Sequence, residues 1–190
     1  MSKLKMKSIG ILGGTFDPPH KGHLFISNKS LKNFKLEKVY WVITKKNPFK
    51  NRPYLSLKKR KEKCTNLIKK SNKIELMFLE TRLKSVRAID TIRYFKKNYN
   101  RKIFFIMGSD NLISFHKWKD CLKLIKMCKF LIFPRKGFDK HDMKSVINRY
   151  QGKKNFIFIK NERIDISSTQ LRKRSNGNKQ IKKNYRKNIR

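Results

Sequence analysis

Residues 8–24 read SIGILGGTFDPPHKGHL, and the fold is decided there. Ile9-Gly10-Ile11-Leu12 is a short apolar run of the kind that forms a buried strand. The run stops at Gly13-Gly14, passes through Thr15-Phe16-Asp17-Pro18-Pro19, and restarts at His20-Lys21-Gly22-His23 as the head of an amphipathic stretch. The pattern is a strand, a tight loop and a helix start. Paired glycines let backbone approach a ligand closely, and a helix N-terminus offers N–H groups with partial positive charge. His20 and His23 are three residues apart and share one face of the first helical turn. Such a loop suits a phosphate, and two imidazoles can donate hydrogen bonds to charge building on it.

Outward from this stretch, strands and helices alternate. Lys38 to Ile43 reads as a second strand, ending in the turn-like segment 44–50. Residues 56–70 have helical spacing, with Leu57, Cys64, Leu67 and Ile68 on the apolar side. Ile74 to Leu79 reads as a third strand, and 86–98 as a helix with Ile89, Ile92 and Phe95 inward. Lys102 to Met107 reads as the fourth strand, ending at Gly108-Ser109-Asp110-Asn111. Residues 112–115 and 118–127 look helical, and Lys129 to Phe133 is a fifth strand stopped by Pro134-Arg135-Lys136-Gly137. A helix over 140–149 and a strand over 156–159 follow, then Ile166-Ser167-Ser168-Thr169-Gln170-Leu171-Arg172, where either serine is placed to cap a final helix.

This alternation predicts a Rossmann-like, doubly wound α/β fold, with a mostly parallel sheet and helices on both faces. Ligands bind such sheets beyond the carboxyl ends of the strands, where strand order reverses. The segments 13–20, 44–50, 108–111 and 134–137 all follow expected strands and so share one rim. No repeat or linker divides the chain, and its 190 residues suit one domain with a real core, over 1–172. Residues 173–190 are almost wholly polar and basic, which predicts a loosely held helix or a frayed tail.

The charge is extreme: 51 basic against 12 acidic residues, a formal +39. Nucleic-acid binding is one reading. The lysines are scattered along the whole chain, however, and not gathered into a stripe, which favours solvated faces on a protein that handles anionic substrates. Aromatics fall mostly inside apolar runs such as Ile103-Phe104-Phe105-Ile106, where packing explains them. The three cysteines, Cys64, Cys121 and Cys128, form no CxxC pair and read as reduced thiols. No signal peptide is visible, and no apolar run approaches the ~20 residues that cross a bilayer. A soluble cytoplasmic protein is expected.

Several chemistries drop out. No G-x-G-x-x-G follows the first strand, which disfavours an ordinary dinucleotide-oxidoreductase site, and no G-x-x-x-x-G-K-[ST] exists. His20-x-x-His23 is half of a metal spacing, but His116 and His141 lie far off, so no metal is expected on the imidazoles.

What remains is the pairing of Gly13-Gly14-Thr15-Phe16-Asp17-Pro18 and His20-x-Gly22-His23 with the late Ile166-Ser167-Ser168-Thr169-x-Leu171-Arg172. Between them stand Asn47-Pro48-x-Lys50, Met107-Gly108-Ser109-Asp110-Asn111-Leu112, Phe115-His116-Lys117-Trp118 and Arg135-x-Gly137. In this order the motifs resemble the bacterial nicotinate-nucleotide adenylyltransferases of the nucleotidyltransferase superfamily, from about Ile9 to Arg172. The pantetheine-phosphate adenylyltransferases are similar in the first and last motifs, but usually carry Thr in place of the first His and lack the Trp118 and Met107-to-Leu112 features.

The resemblance implies an enzyme of NAD biosynthesis that joins ATP to nicotinate mononucleotide, giving deamido-NAD and pyrophosphate. Alternatives are the same transfer to nicotinamide mononucleotide or phosphopantetheine, a basic nucleic-acid-binding protein, or a nucleotide-binding module without catalysis. The attacking phosphate oxygen is already anionic, so no general base is required, and positioning with charge stabilisation does the work. By resemblance the catalytic residues are His20, His23 and Arg172. ATP would be held by Gly13, Gly14, Thr15, Gly108, Asp110, Arg135, Ser167 and Ser168, with Ser168 and Arg172 on the departing phosphates. Mg²⁺ would accompany ATP, held mostly by phosphates and water.

Asp110 reads either as a receiver of ribose hydroxyls or as a helix N-cap, and the two roles are compatible. Arg135 reads as a neighbour of the nucleotide or as surface charge. The mononucleotide side would comprise Lys50, Arg87, Ala88 and Trp118. Trp118 would stack on the pyridine ring, or be a core aromatic. At Arg87-Ala88 the family usually has Tyr-Thr, whose hydroxyl helps to read the nicotinate carboxylate; Ala88 has no hydroxyl, leaving a backbone N–H or Arg87 for that task. Specific nucleic-acid or membrane partners are not expected, and the sequence leaves monomer and homodimer open.

Overall fold

In a computed structural model of the chain, residues 7–49, 52–135, 148 and 153–159 are described. Lys50, Gly137, His141, Ser167, Ser168 and Arg172, together with the expected 140–149 helix other than residue 148 and the 173–190 segment, lie outside them.

The apolar run that opens the chain becomes strand β1 (Ser8–Gly14), and its interior residues are buried. It is followed by α1 (Lys21–Asn33), β2 (Lys38–Ile43), α2 (Leu57–Ile68), β3 (Ile74–Met77), a short α3 (Glu80–Leu83) and α4 (Ala88–Asn98). Then come β4 (Lys102–Gly108), α5 (Cys121–Met127), β5 (Lys129–Phe133) and β6 (Phe156–Phe158). The six strands lie in the order β3-β2-β1-β4-β5-β6, and every pairing is parallel. The expectation of a mostly parallel, doubly wound sheet is met.

Because strand side chains alternate, each strand feeds two cores. Ile9 and Ile11 of β1 and Phe105 of β4 pack with Ile89, Ile92 and Phe95 of α4 and Leu124 and Ile125 of α5. Leu12, Trp41 and Ile106 point the other way, toward Cys64 and Ile68 of α2, with Leu24 and Leu31 of α1 against the same cluster. Helices therefore cover both faces. Gly10 is required by this second core: a Cβ there would lie 2.9 Å from Ile106 Cδ1 and from Val39 Cγ2.

The winding sets the site. The chain steps outward from β1 to β2 to β3, then returns to place β4 on the other side of β1. The loops after β1 and β4 thus leave the sheet in opposite directions and open a crevice at its carboxyl edge. Among the described residues no helix is long and apolar enough to cross a membrane.

Three local expectations are corrected. β3 ends at Met77 rather than residue 79, because the chain turns there into α3. Residues 112–115 do not form a helix; the segment carries 3-10 turns at Ser109–Asn111 and Phe115–Lys117. The following helix starts at Cys121 rather than 118, because Trp118 is extended and Asp120 is left-handed at φ 55°.

Candidate active site

The first helix carries its own chemistry at its cap. His20 is the N-cap of α1, and its Nδ1 accepts from the Gly22 N–H at 3.1 Å. In return the His20 N–H donates to Nδ1 of His23 at 3.2 Å, a capping box built from two imidazoles. A ring nitrogen that accepts carries no proton, so each neutral ring bears its proton on Nε2. His20 is 7% exposed, and its Nε2 is a buried polar atom with no hydrogen-bond partner among the described residues. Such an atom needs a partner, and a ligand oxygen would supply one.

Burial and the Arg135 charge push the His20 pKa down to about 4. Burial, then His20 and then Arg135 hold His23 well below its ordinary value, against the raising effect of its backbone hydrogen bond. Near neutral pH both rings are therefore uncharged donors.

The rings are held from behind. Their centroids are 3.9 Å apart, and Phe16 lies 4.8 Å from His23 and stacks on Trp41 at 4.9 Å. Phe16 has φ 48°, a left-handed conformation that a bulky residue adopts only under strong packing, and the residue is 2% exposed. Trp41 Nε1 donates to Ser27 Oγ at 2.8 Å, and that hydroxyl donates to the His23 carbonyl at 2.8 Å.

The opposite wall comes from the ends of β4 and β5. Arg135 Nη1 bonds Asp110 Oδ2 at 2.8 Å, and the Arg135 N–H donates to the buried Ser109 Oγ at 2.9 Å. The N-cap reading of Asp110 fails: Gly108 occupies the cap, no side chain caps that turn, and the Asp110 carboxylate turns to Arg135 and Asn111 instead. Arg135 is tied into the rim by these bonds, so it is not plain surface charge. Gly108 leaves room for the carboxylate, since a Cβ there would stand 2.5 Å from Asp110 Oδ1.

Residues 11–174 match the cytidylyltransferase-like family model. A Pelagibacter ubique (strain HTCC1062) protein, described as a probable nicotinate-nucleotide adenylyltransferase, is 46% identical over 169 residues, spanning 89% of this chain and 94% of its own length. This chain belongs to the nicotinate-nucleotide adenylyltransferase family. A Clostridium tetani (strain Massachusetts / E88) relative of the same description is 33% identical over 93% of this chain and 91% of its own. The Plasmodium falciparum nicotinic acid mononucleotide adenylyltransferase complexed with NaAD shares the fold at a TM-score of 0.73, with 24% identity over 88% of this chain and 83% of that one.

The remaining candidates among the described residues of this adenylyltransferase-family chain are Gly13, Gly14, Thr15, Arg87, Ala88 and Trp118. Gly13 and Gly14 close β1; a Cβ at either would meet nothing nearer than 3.6 Å, and neither needs a left-handed backbone. The fold alone does not demand glycine at either position. Thr15 follows them on the same rim, its carbonyl engaged by Arg60. Trp118 is partly buried, packed 5.3 Å from Phe115 and 5.8 Å from Phe105, so the core reading accounts for part of it. Arg87 is exposed and is the N-cap of α4, whose first helical residue is Ala88; no side chain caps that terminus. These lie on the α4 face of the sheet, whereas the imidazoles lie on the α1 side.

Two residues outside the sequence-based candidates shape the site. Phe16 is the platform under His23. Arg60 is 2% exposed and donates to four carbonyls of the rim. Its signal was present in the sequence: Arg60 stands four residues before Cys64, on the apolar face of an otherwise lysine-covered helix.

Proposed function

We infer that this chain joins ATP to nicotinate mononucleotide, releasing pyrophosphate and forming nicotinate adenine dinucleotide in NAD biosynthesis. The family membership supports the reaction, and the observation in this site that carries it is the buried, unpartnered Nε2 of His20 beside His23 at the sheet's switch point.

The chemistry follows from the geometry. The mononucleotide phosphate attacks the α-phosphorus of ATP in line, with pyrophosphate leaving on the far side. Charge grows on the leaving oxygens, and fixed donors aimed there stabilise the transition state at no cost in reorganisation. His20 and His23 present Nε2–H donors while remaining neutral. Gly13, Gly14 and Thr15 leave space for phosphate against backbone. Asp110, held by Arg135, is placed to accept from the ribose hydroxyls, with Gly108 beside it. Ser167, Ser168 and Arg172 complete the phosphate site in this reading, Arg172 through its forked donors.

Mg²⁺ enters with ATP as part of the substrate. In this account phosphates and water carry most of the ion's coordination, as is usual for Mg²⁺ bound with a nucleotide. On the other substrate, Lys50 meets the phosphate and Trp118 stacks on the pyridine. The uncapped start of α4 at Ala88, with Arg87 beside it, offers N–H groups and positive charge to a carboxylate, which favours the acid over the amide. Free Cys64, Cys121 and Cys128 suit a reducing cytoplasm.

Pyrophosphate release measured across nicotinate mononucleotide, nicotinamide mononucleotide and phosphopantetheine tests the reading. The acid should give the highest kcat/KM; a clear preference for either other acceptor would overturn it.

A further inference from the structure

We propose that Arg60 is a positioning residue that locks the phosphate-facing loop after β1 to the loops after β2, so that one buried cation sets both substrate rims together. The inference rests on the adenylyl-transfer reading of the rim.

Arg60 sits on the buried face of α2, 2% exposed, and its guanidinium reaches three separate backbone segments. Nη1 bonds the carbonyl of Thr15 at 2.6 Å and that of Thr44 at 2.7 Å. Nη2 bonds Lys45 O at 2.9 Å, and Nε bonds Leu55 O at 3.1 Å. Thr15 belongs to the loop between β1 and the imidazole pair. Thr44 and Lys45 begin the loop that leads toward Lys50, and Leu55 closes it.

Two carboxylates complete the clasp. Asp17 accepts from the Tyr54 N–H at 2.6 Å and the Leu55 N–H at 2.8 Å, tying the imidazole loop directly to the same segment. Glu80 accepts from the Lys45 N–H at 2.9 Å. Leu55 and Lys45 are therefore each gripped at both backbone groups, by a carboxylate on the N–H and by Arg60 on the carbonyl. Burial lowers the Arg60 pKa from its ordinary value, and the charges of Asp17 and Glu80 act against that shift, offsetting part of the cost of burying the guanidinium.

The fork explains the residue type. Only a planar group with donors along two edges reaches carbonyls on three segments at once; a lysine ammonium is a point with three donors. Arg60 is not placed to touch substrate. Its effect on catalysis runs through the position of Thr15 and of the loop after β2, and a displacement of about 1 Å at such a rim costs up to about 10²-fold in rate.

Arg60→Lys and Arg60→Ala are compared with the full-length wild type by steady-state kinetics in both substrates, well below each variant's Tm. The expected result is a coordinated rise in KM for ATP and for the mononucleotide, about tenfold in Arg60→Lys, with kcat/KM down about 10²-fold in Arg60→Ala. A lower Tm with both KM values within twofold of wild type would make Arg60 merely structural and overturn the proposal, as would a rise confined to one substrate. If Arg60→Ala does not fold, Arg60→Lys decides alone. Amide hydrogen exchange in the absence of substrate separates this proposal from the reaction assignment. The Thr44 amide, which donates to Gly14 O at 2.9 Å, and those of Lys45 and Leu55 should exchange about tenfold faster in Arg60→Lys even if the true acceptor is another mononucleotide. Unchanged exchange at all three refutes the clasp whatever the substrate.

Discussion

The backbone N–H of His20 donates to Nδ1 of His23 at 3.2 Å, while Nδ1 of His20 accepts from Gly22. This reciprocal pair of hydrogen bonds thus does two jobs. It caps the helix, which a serine or aspartate would do as well, and it fixes the tautomer of both rings, which neither could. The free Nε2–H groups follow from the cap.

The pair should stay neutral across the physiological range. With its pKa near 4, the His20 ring should show no titration between pH 6 and 8 in imidazole ¹⁵N spectra, and both rings should report the Nε2–H form. Because the native value lies below the ordinary 6.5, the unfolded chain takes up the proton first as pH falls. Stability is unaffected above that value and declines from pH 6.5 toward 4, by about 3 kcal/mol at most from His20. Denaturant titrations at pH 7.5 and 4.5 check the sign: the midpoint should be lower at pH 4.5.

His23→Ala should separate catalysis from folding. Loss of one preorganised donor should cost about 10²- to 10³-fold in kcat. Loss of the reciprocal cap should cost only about 1 kcal/mol of stability. A far-UV spectrum with a cooperative melt, set beside a pyrophosphate-release assay, reads both; activity near wild type would remove the imidazoles from the mechanism.

Gly108→Ala should damage ATP use selectively. The new Cβ would press on Asp110 Oδ1 at 2.5 Å and on Arg135 Nε at 3.2 Å, displacing the pair. KM for ATP should rise roughly tenfold or more, as for other rim displacements, and KM for the mononucleotide much less. Gly14→Ala is the companion: its Cβ meets no protein atom within 3.8 Å, so Tm should hold while ATP affinity falls if phosphate lies there.

Asp110→Asn should matter more to ATP than to the fold. The Asp110–Arg135 pair has side chains 17% and 35% exposed, so screening keeps its stability contribution to about 1 kcal/mol. The neutral amide still accepts from the ribose, but more weakly, and KM for ATP should rise several-fold, about what one charge-assisted hydrogen bond is worth. Isothermal titration with a non-hydrolysable ATP analogue measures it.

The sequence by itself determined the strand-loop-helix opening, the alternation of elements and hence the parallel, doubly wound sheet. These depend on local periodicity and on punctuation by Gly and Pro, which act within a few residues of chain. It also brought out His20 and His23, because i, i+3 spacing at a helix start fixes their shared face. Tertiary structure alone decided what Asp110 and Arg60 do. Asp110 sits at a turn start that invites a cap, yet a charged partner 25 residues away outcompetes the local N–H groups. Arg60 lies among lysines on the same helix, and only packing against the sheet strips its water and turns it toward carbonyls up to 45 residues distant. Long-range bonds of that kind follow from where the strands bring the loops, which no window of sequence contains.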